Sequence, residues 1–475
     1  MIAVHPVLLI AIPLFFAFLL PLIGLFSKKV LKYVVTGTIA LNTIIALLVF
    51  REALNSPIFD ILGGFKPPLG IVLMVGPLGG FIALIINMAG LIISIYGMEM
   101  KKEPLVKYYM LSLLLLMGAN GMVLTGDLFN LFVFLEVTSI ASYGLAAYNK
   151  DLKGFEGALK YVILGSIGST FVLIGIALIY SQLRTLNMLD IATRLNEMDP
   201  YVKIVAFTSL FLGFGVEAEM FPLNTWVPET YDGAPHSVSA MFASMSAKAG
   251  IFALARVIFT IFAFTNYLWF VVIMGVLTVF FGEIIAYAQR DIKRMLAYSS
   301  IGQMGMILMG LGIGTTMAVE GAFFQMFSHA MAKALLFIAA GYMIYATQTE
   351  KMSEMKGIGR NPLIGIPLLI GILSILGMPP FIGFYGKFYI LMGGFSEGYY
   401  AIIALFLAAS LVEVAYYARF IKIAFEGGGK RYPSPKATVY IPLLLFAVII
   451  VIFGVYPKPI FEILSHVTTF LTGGV

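Results

Sequence analysis

Long apolar runs alternate with short polar breaks along nearly the whole chain. Runs able to cross about 30 Å of hydrocarbon fall at roughly 5–26, 31–50, 70–97, 106–125, 127–148, 157–181, 202–222, 236–262, 265–288, 293–314, 319–346, 363–394, 399–425 and 437–456. The pattern predicts an all-α polytopic membrane protein of about fourteen transmembrane helices. Long polar connections fall only near 51–69, 182–201 and 347–361. The opening "MIAVHPVLLIAIPLFFAFLLPLIG" lacks a basic start and its apolar run is too long for a signal peptide, so it reads as the first span.

Composition sharpens this picture. Of 475 residues, 60% are hydrophobic and 11% charged, where a soluble protein carries about 25% charged residues. There is no cysteine, which excludes disulfides, thiolate metal sites, iron–sulfur ligation and cysteine nucleophiles. The net charge of +6 is no argument for nucleic acid, because basic loops in membrane proteins are topogenic. The glycines are dispersed, without a phosphate-cradling G-x-x-x-x-G-K-[ST], and the four histidines are scattered, so no cofactor and no metal cage is expected.

The basic residues set an orientation. Lys28, Lys29 and Lys32 follow the first span, Lys101, Lys102 and Lys107 the third, and Lys150 and Lys153 the fifth. Arg290, Lys293 and Arg294 follow the ninth, Lys351, Lys356 and Arg360 the eleventh, and Lys430, Arg431 and Lys436 the thirteenth. Odd-numbered connections are therefore expected in the cytoplasm, with both termini outside. The seventh connection, which is not basic, and the sixth, with Arg184, Arg194 and Lys203, break the trend.

Two spans are interrupted. The seventh breaks at "EAEMFPLNTWVP", with Pro222 and Pro228, and the twelfth at "LGMPPFIGFYGK", with Pro379 and Pro380. They lie five helices apart, so spans four to eight and nine to thirteen read as two repeats, the second inserted upside down. Paired broken helices in inverted repeats mark transport sites in many carriers, although proline and glycine are also simply frequent in membrane helices. The expected units are 1–105 (spans one to three), 106–262 (first repeat), 263–425 (second repeat) and 426–475 (span fourteen and a short tail).

Nine ionisable residues fall inside spans: Glu136, Glu217, Glu219, Lys248, Arg256, His329, Lys333, Lys387 and Glu413. Facing lipid, they would cost roughly 20–30 kcal/mol, more than the whole stability of a typical domain, about 5–15 kcal/mol. They must therefore face one another or water. Low dielectric disfavours the charged form of acids and bases alike, so small changes in field can move a proton along such a chain. His329 and Lys333 are four apart and share a helix face, and Ser244 lies one turn before Lys248. Glu217 and Glu219 are two apart, so only near a helix break can both reach one cavity. Arg256 also fits a snorkelling or structurally paired residue, and Glu413 one half of a structural ion pair. His236, in "GAPHSVSAM", caps a helix start or lines a cavity, while His5 and His466, near the ends, carry no assignment.

Four stretches in order, "DLFNLFVFLEVTSIASYGL", "DIKRMLAYSSIGQMG", "HAMAKALLFIAAG" and "GMPPFIGFYGKFYIL", make the chain resemble the proton-pumping, antiporter-like subunits of respiratory complex I. The similarity is greatest to the D subunits of Mrp-type Na+/H+ antiporters and their relatives in archaeal membrane-bound hydrogenase-type complexes. The resemblance implies fourteen helices, two inverted five-helix repeats and a polar axis along the membrane midplane of a prokaryotic cell membrane. It implies that Glu136 is the acid of the fifth helix, Lys248 the central lysine of the eighth, His329 and Lys333 the connecting pair of the eleventh, and Lys387 the terminal lysine of the twelfth. The implied partners are other membrane subunits, a peripheral oxidoreductase module, H+ and, by exchange, Na+.

The departure lies at the first break. The family reads G-[IV]-K-A-x-x-[FV]-P where this chain has "GVEAEMFP", so Glu217 stands in place of a lysine and Glu219 is an added acid. Glu136 and Glu217, joined by Glu219 where the break lets it reach the same cavity, are expected to form an acidic cluster, which cannot ionise fully unpaired. It must hold protons, a cation such as Na+, or a partner's lysine. The leading expectation is an ion-translocating subunit that is not an enzyme by itself. The alternative is a largely structural subunit that joins modules and has a degenerate first half-channel. A stand-alone carrier of a small organic solute is a further alternative.

Overall fold

In lipid every backbone polar group must be satisfied internally, so uninterrupted apolar runs become helices. The computed structural model describes residues 4–65, 70–99, 104–262, 268–427 and 432–471. Of the expected topogenic residues, Lys101, Lys102, Lys430 and Arg431 lie outside the described residues. Among the described residues, thirteen helices are long and apolar enough to cross a membrane. The first six spans are Leu8–Phe26, Lys28–Ala53, Pro77–Gly97, Leu105–Leu124, Leu128–Ala146 and Leu152–Leu183. The seventh runs over Pro200–Glu217 and resumes as the short helix Val227–Gly233. Then come His236–Ile261, Leu268–Ala288, Ile292–Ile313 and Thr316–Thr347. The twelfth is split into Pro362–Leu376 and Gly383–Ser396, and the last two spans are Tyr400–Phe425 and Ala437–Val455.

One expectation is corrected: the third span starts at Pro77 and not at 70, because a strand pair precedes it. Strands β1 (Ile58–Ile61) and β2 (Val72–Val75) pair antiparallel, with Ile58 opposite Val75 and Ile61 opposite Val72. The β-branched run of β2 suits a strand, and the helix begins only at Pro77, where a missing N–H costs nothing.

Several devices hold the bundle. Asn42, Asn87 and Asn120, all buried, link spans two, three and four: the Asn42 amide N–H donates to Asn87 Oδ1 at 3.0 Å and that of Asn87 to Asn120 Oδ1 at 2.7 Å. Spans nine and ten touch backbone to backbone: a Cβ on Gly275 would lie 2.6 Å from the Met309 nitrogen, and one on Gly305 2.5 Å from that of Val279. Without a hydrophobic force between helices in lipid, such small-residue contacts and interhelical polar bonds supply the cohesion. Span eight, buried from Ser237 to Ile261, contains two wide π turns, at Phe242–Ser246 and Val257–Ile261; the first is closed by the Ala247 N–H on the Phe242 carbonyl.

The loops after spans six and eleven fold in the same way. The Leu128 N–H donates to the Leu186 carbonyl (2.8 Å) and Met188 N–H to Gly126 (2.9 Å); Ile292 N–H donates to Glu350 and Met352 N–H to Arg290, both at 3.0 Å. Each loop follows a helix of 32 residues that ends on a left-handed residue, Arg184 or Gln348.

Candidate ion-translocation axis

The first break begins where the helix Pro200–Glu217 runs out and Glu219 takes a left-handed φ of 57°. Pro222 follows a cis bond, and Pro228 opens the short helix Val227–Gly233 at a position that needs no N–H. Tyr161 stacks on Trp226 at 3.6 Å, and the Trp226 indole donates to the Val216 carbonyl at 3.2 Å, clamping the break. At the second break Pro362–Leu376 ends on Gly377 at φ 76°, Pro379 and Pro380 share a cis bond, and the helix restarts at Gly383. Lys387 stands one turn into that restarted helix.

The three acids near the first break are anchored separately. Glu217 accepts from Tyr161 (2.9 Å), Ser139 (3.0 Å) and Ser246 (3.4 Å). Glu136, half-buried, accepts from the Ser169 hydroxyl. Glu219 turns the other way, accepts from Tyr231 at 2.5 Å, and lies within electrostatic reach of Lys248 and Lys333. Glu136 and Glu217 stay within electrostatic reach of each other, whereas Glu219, at the left-handed turn, bonds a different partner and faces the lysines.

Across the centre the bases meet. Lys248 Nζ lies 2.6 Å from His329 Nδ1 and donates to the Ala243 carbonyl at 3.0 Å. With Nδ1 accepting, the imidazole is a donor at Nε2, 3.1 Å from Ser300 Oγ. Ser244 turns instead to the Ala240 carbonyl. Lys333, one turn beyond His329, donates to the Leu296 carbonyl (3.1 Å) and to Tyr417 (3.3 Å). At the far end Lys387 and Glu413 form a buried ion pair. Gln303 donates to Glu413 at 2.6 Å, and Gln325 donates to Gln303 at 2.5 Å.

Not every expected residue joins this line. Arg256 binds the Thr125 carbonyl at 2.6 Å and the Met188 sulfur at 3.0 Å. His236 opens its helix without a capping bond and borders a cavity of about 1050 Å3. His5 lies 3.4 Å from Asp60 at the surface. Lys293 is corrected from a topogenic loop residue: it is buried, donating to the Asp232 (2.5 Å) and Ala234 (2.7 Å) carbonyls. A stem packed in the bundle with its ammonium on two carbonyls leaves it no loop-like freedom.

Sequence reading missed Glu283, fully buried in span nine, which accepts from Tyr416 at 2.8 Å beside the Lys387–Glu413 pair. Its signal was present, a carboxylate within "VFFGEIIAYA", but nearness to the end of the run makes it look interfacial. The hydroxyl and amide partners Tyr231, Tyr417, Gln303 and Gln325 carry no charge, so a search for ionisable residues inside spans passes over them.

Fold and site together define a polytopic membrane protein of the antiporter-like kind, built around a buried line of acids and bases. The chain belongs to the NADH:quinone oxidoreductase/Mrp antiporter transmembrane family, whose pattern matches residues 125–412. It is 31% identical to the N subunit of the NADH-quinone oxidoreductase of Desulforudis audaxviator, over 97% of each chain. It is 33% identical to the D subunit of the Na(+)/H(+) antiporter of Bacillus subtilis, over 94% of this chain and 93% of that one. Among solved structures it is similar to a chain of the membrane-bound sulfane sulfur reductase, an archaeal respiratory membrane complex, with 38% identity and a TM-score of 0.93 over 98% of this chain and 97% of that one. By this kinship it is an antiporter-like membrane subunit and not an enzyme on its own.

Proposed function

We propose that the chain moves protons, in exchange for Na+ within its assembly, along the buried line from Glu219 and Lys248 through His329 and Lys333 to Lys387 and Glu413. The observation that carries this reading is the Lys248–His329 contact of 2.6 Å. Two bases that close in low dielectric cannot both hold a charge, so occupancy of one governs the other. Glu136 and Glu217 extend the line into the first half, and His236 links it to a cavity. The matched loop bonds, the equal long helices and the paired breaks support two inverted repeats, spans four to eight and nine to thirteen. The assembly comprises other membrane subunits and a peripheral oxidoreductase module in a prokaryotic cell membrane, with both termini outside.

The test is ion movement by the intact complex in sealed vesicles. Lys248→Ala and Lys387→Ala are expected to abolish it while the subunit still co-purifies; normal movement in both variants would overturn the axis. A second reading has one observation in its favour. Glu217, at the family's lysine position, is bonded by three neutral hydroxyls with Glu136 within electrostatic reach, the surroundings expected if the first half mainly joins modules and conducts little.

A further inference from the structure

A cavity of about 470 Å3 lies on the flank of the bundle, at the seam between the two halves. Span six and the first break wall one side, and spans nine and ten the other. Ile163 and Phe281, 52% and 42% exposed, open it toward the lipid phase.

The seam is chemically graded with depth. Near the helix ends it is charged. Arg294, two residues into span ten, donates to Glu229 at 2.9 Å, and Glu229 lies 3.4 Å from Lys160. Lys160 also pairs at 2.7 Å with Glu156, four residues into span six. Deeper, the wall is apolar: Leu164, Ile285 and Ile301, with Phe281 stacked on Phe221 at 3.9 Å. Phe281 lies seven residues before the end of span nine and Ile301 nine residues into span ten, about 10 and 14 Å along their helices.

Two polar groups here lack partners. The Asn224 side chain, on a residue 6% exposed, borders the cavity and meets no hydrogen-bonding group among the described residues. The Arg294 Nε, buried behind Glu229, is likewise without an acceptor. Hydrocarbon offers such groups nothing, so the occupant must carry polar atoms at one end of an apolar body. The four charges at the helix ends, Lys160 and Arg294 against Glu156 and Glu229, sum to zero, and a headgroup that complements them carries one phosphate and one ammonium. The Lys160–Glu156 pair is 40% and 54% exposed; pairs of that kind are weak and open readily.

We propose that the seam is a binding site for one zwitterionic phospholipid. Its phosphate replaces Glu156 on Lys160, beside Arg294, and its ammonium takes Glu156. Asn224 bonds an oxygen of the glycerol linkage, and one chain runs down the apolar wall. A lipid held in this way braces the two halves beside the first break, where span nine already accepts the Phe221 N–H on the Thr278 hydroxyl at 3.0 Å. The site stands whether or not the buried line carries protons.

The test uses the intact complex in vesicles of phosphatidylethanolamine and phosphatidylglycerol, each lipid in turn carrying a photoreactive diazirine in one acyl chain. After illumination, labelled peptides of this chain are measured by mass spectrometry. Peptides holding Leu164, Phe281 and Ile301 are expected to take at least about fivefold more label from phosphatidylethanolamine than from phosphatidylglycerol, the scale of a part-exposed ion pair. The peptide holding Ile140, exposed on span five, should be labelled alike by both. Ile163→Trp and Thr225→Trp change exposed lining positions and so fill the seam without touching the core; each should abolish label there and leave Ile140 unchanged. Asn224→Leu is expected to lower seam label about three- to tenfold, the worth of one hydrogen bond. Lys160→Ala should end the preference between headgroups. Seam label that matches Ile140 with both lipids and ignores both tryptophans means bulk lipid only, and overturns the site. A seam that neither lipid labels is covered by another subunit, and overturns it equally. Stronger label from phosphatidylglycerol would refute the zwitterionic headgroup.

Discussion

The two halves of the molecule share a scaffold and differ in what they put at the break. Both have a 32-residue helix with a left-handed end, the same pair of loop bonds, and a helix broken at proline. In the second half the break carries a cation, Lys387, and the surrounding helices answer with Glu413 and Glu283. In the first half the break carries carboxylates, and the answer to Glu217 is three hydroxyls. A buried ion pair holds charge that neither partner can leave behind cheaply, whereas a hydroxyl cage serves a protonated acid as well as an ionised one. The scaffold therefore fixes where ionisable groups can stand, and the local partners decide whether a position must stay charged.

The largest effect separating the halves is expected at the ion pair. Glu413→Ala strands Lys387 in the bundle and should destabilise the protein by about 3–5 kcal/mol, read as a lowered melting midpoint of the purified complex, with ion movement lost. A midpoint within error of the parent would show that Lys387 has another partner. Next comes Tyr231→Phe, which removes the donor to Glu219. It is expected to cost about 1.5–3 kcal/mol, the value of a hydrogen bond to a charged group, and to slow proton movement about tenfold or more by that arithmetic. An unchanged rate would detach Glu219 from the axis. The smallest effect is expected at Glu217→Gln, where the hydroxyls can turn to serve an amide: within about 1 kcal/mol of the parent. Loss of Na+-dependent movement in that variant would make the first break a cation site. A gain in proton movement in Glu217→Lys would instead mark a lysine position that has drifted and left the first half idle.

Much of this could be read from residue order. Apolar runs gave the helices because lipid leaves the backbone no other choice, and the expense of a charge in hydrocarbon flagged Lys248, His329, Lys333 and Lys387. Three kinds of feature resisted. The strand pair Ile58–Ile61 and Val72–Val75 hid because β2 is as apolar as the helix it precedes. Lys293 looked topogenic because its carbonyl partners at Asp232 and Ala234 lie about sixty residues away in sequence. The division of Glu217 from Glu219 depends on one left-handed residue, which no hydropathy pattern encodes.

The first π turn of span eight, at Phe242–Ser246, has a geometric consequence. It holds one residue more than an α turn would, and each residue of an α-helix advances the facing direction by about 100°. The wide turn absorbs that surplus and so keeps the phase of everything downstream, including Lys248 against His329 and Arg256 against the Thr125 carbonyl. Deleting one residue between Phe242 and Ser246 should therefore leave an ordinary α turn with both cations still facing their partners, whereas deleting two would turn both away by about 100°. In span eight, residue count matters as much as residue identity.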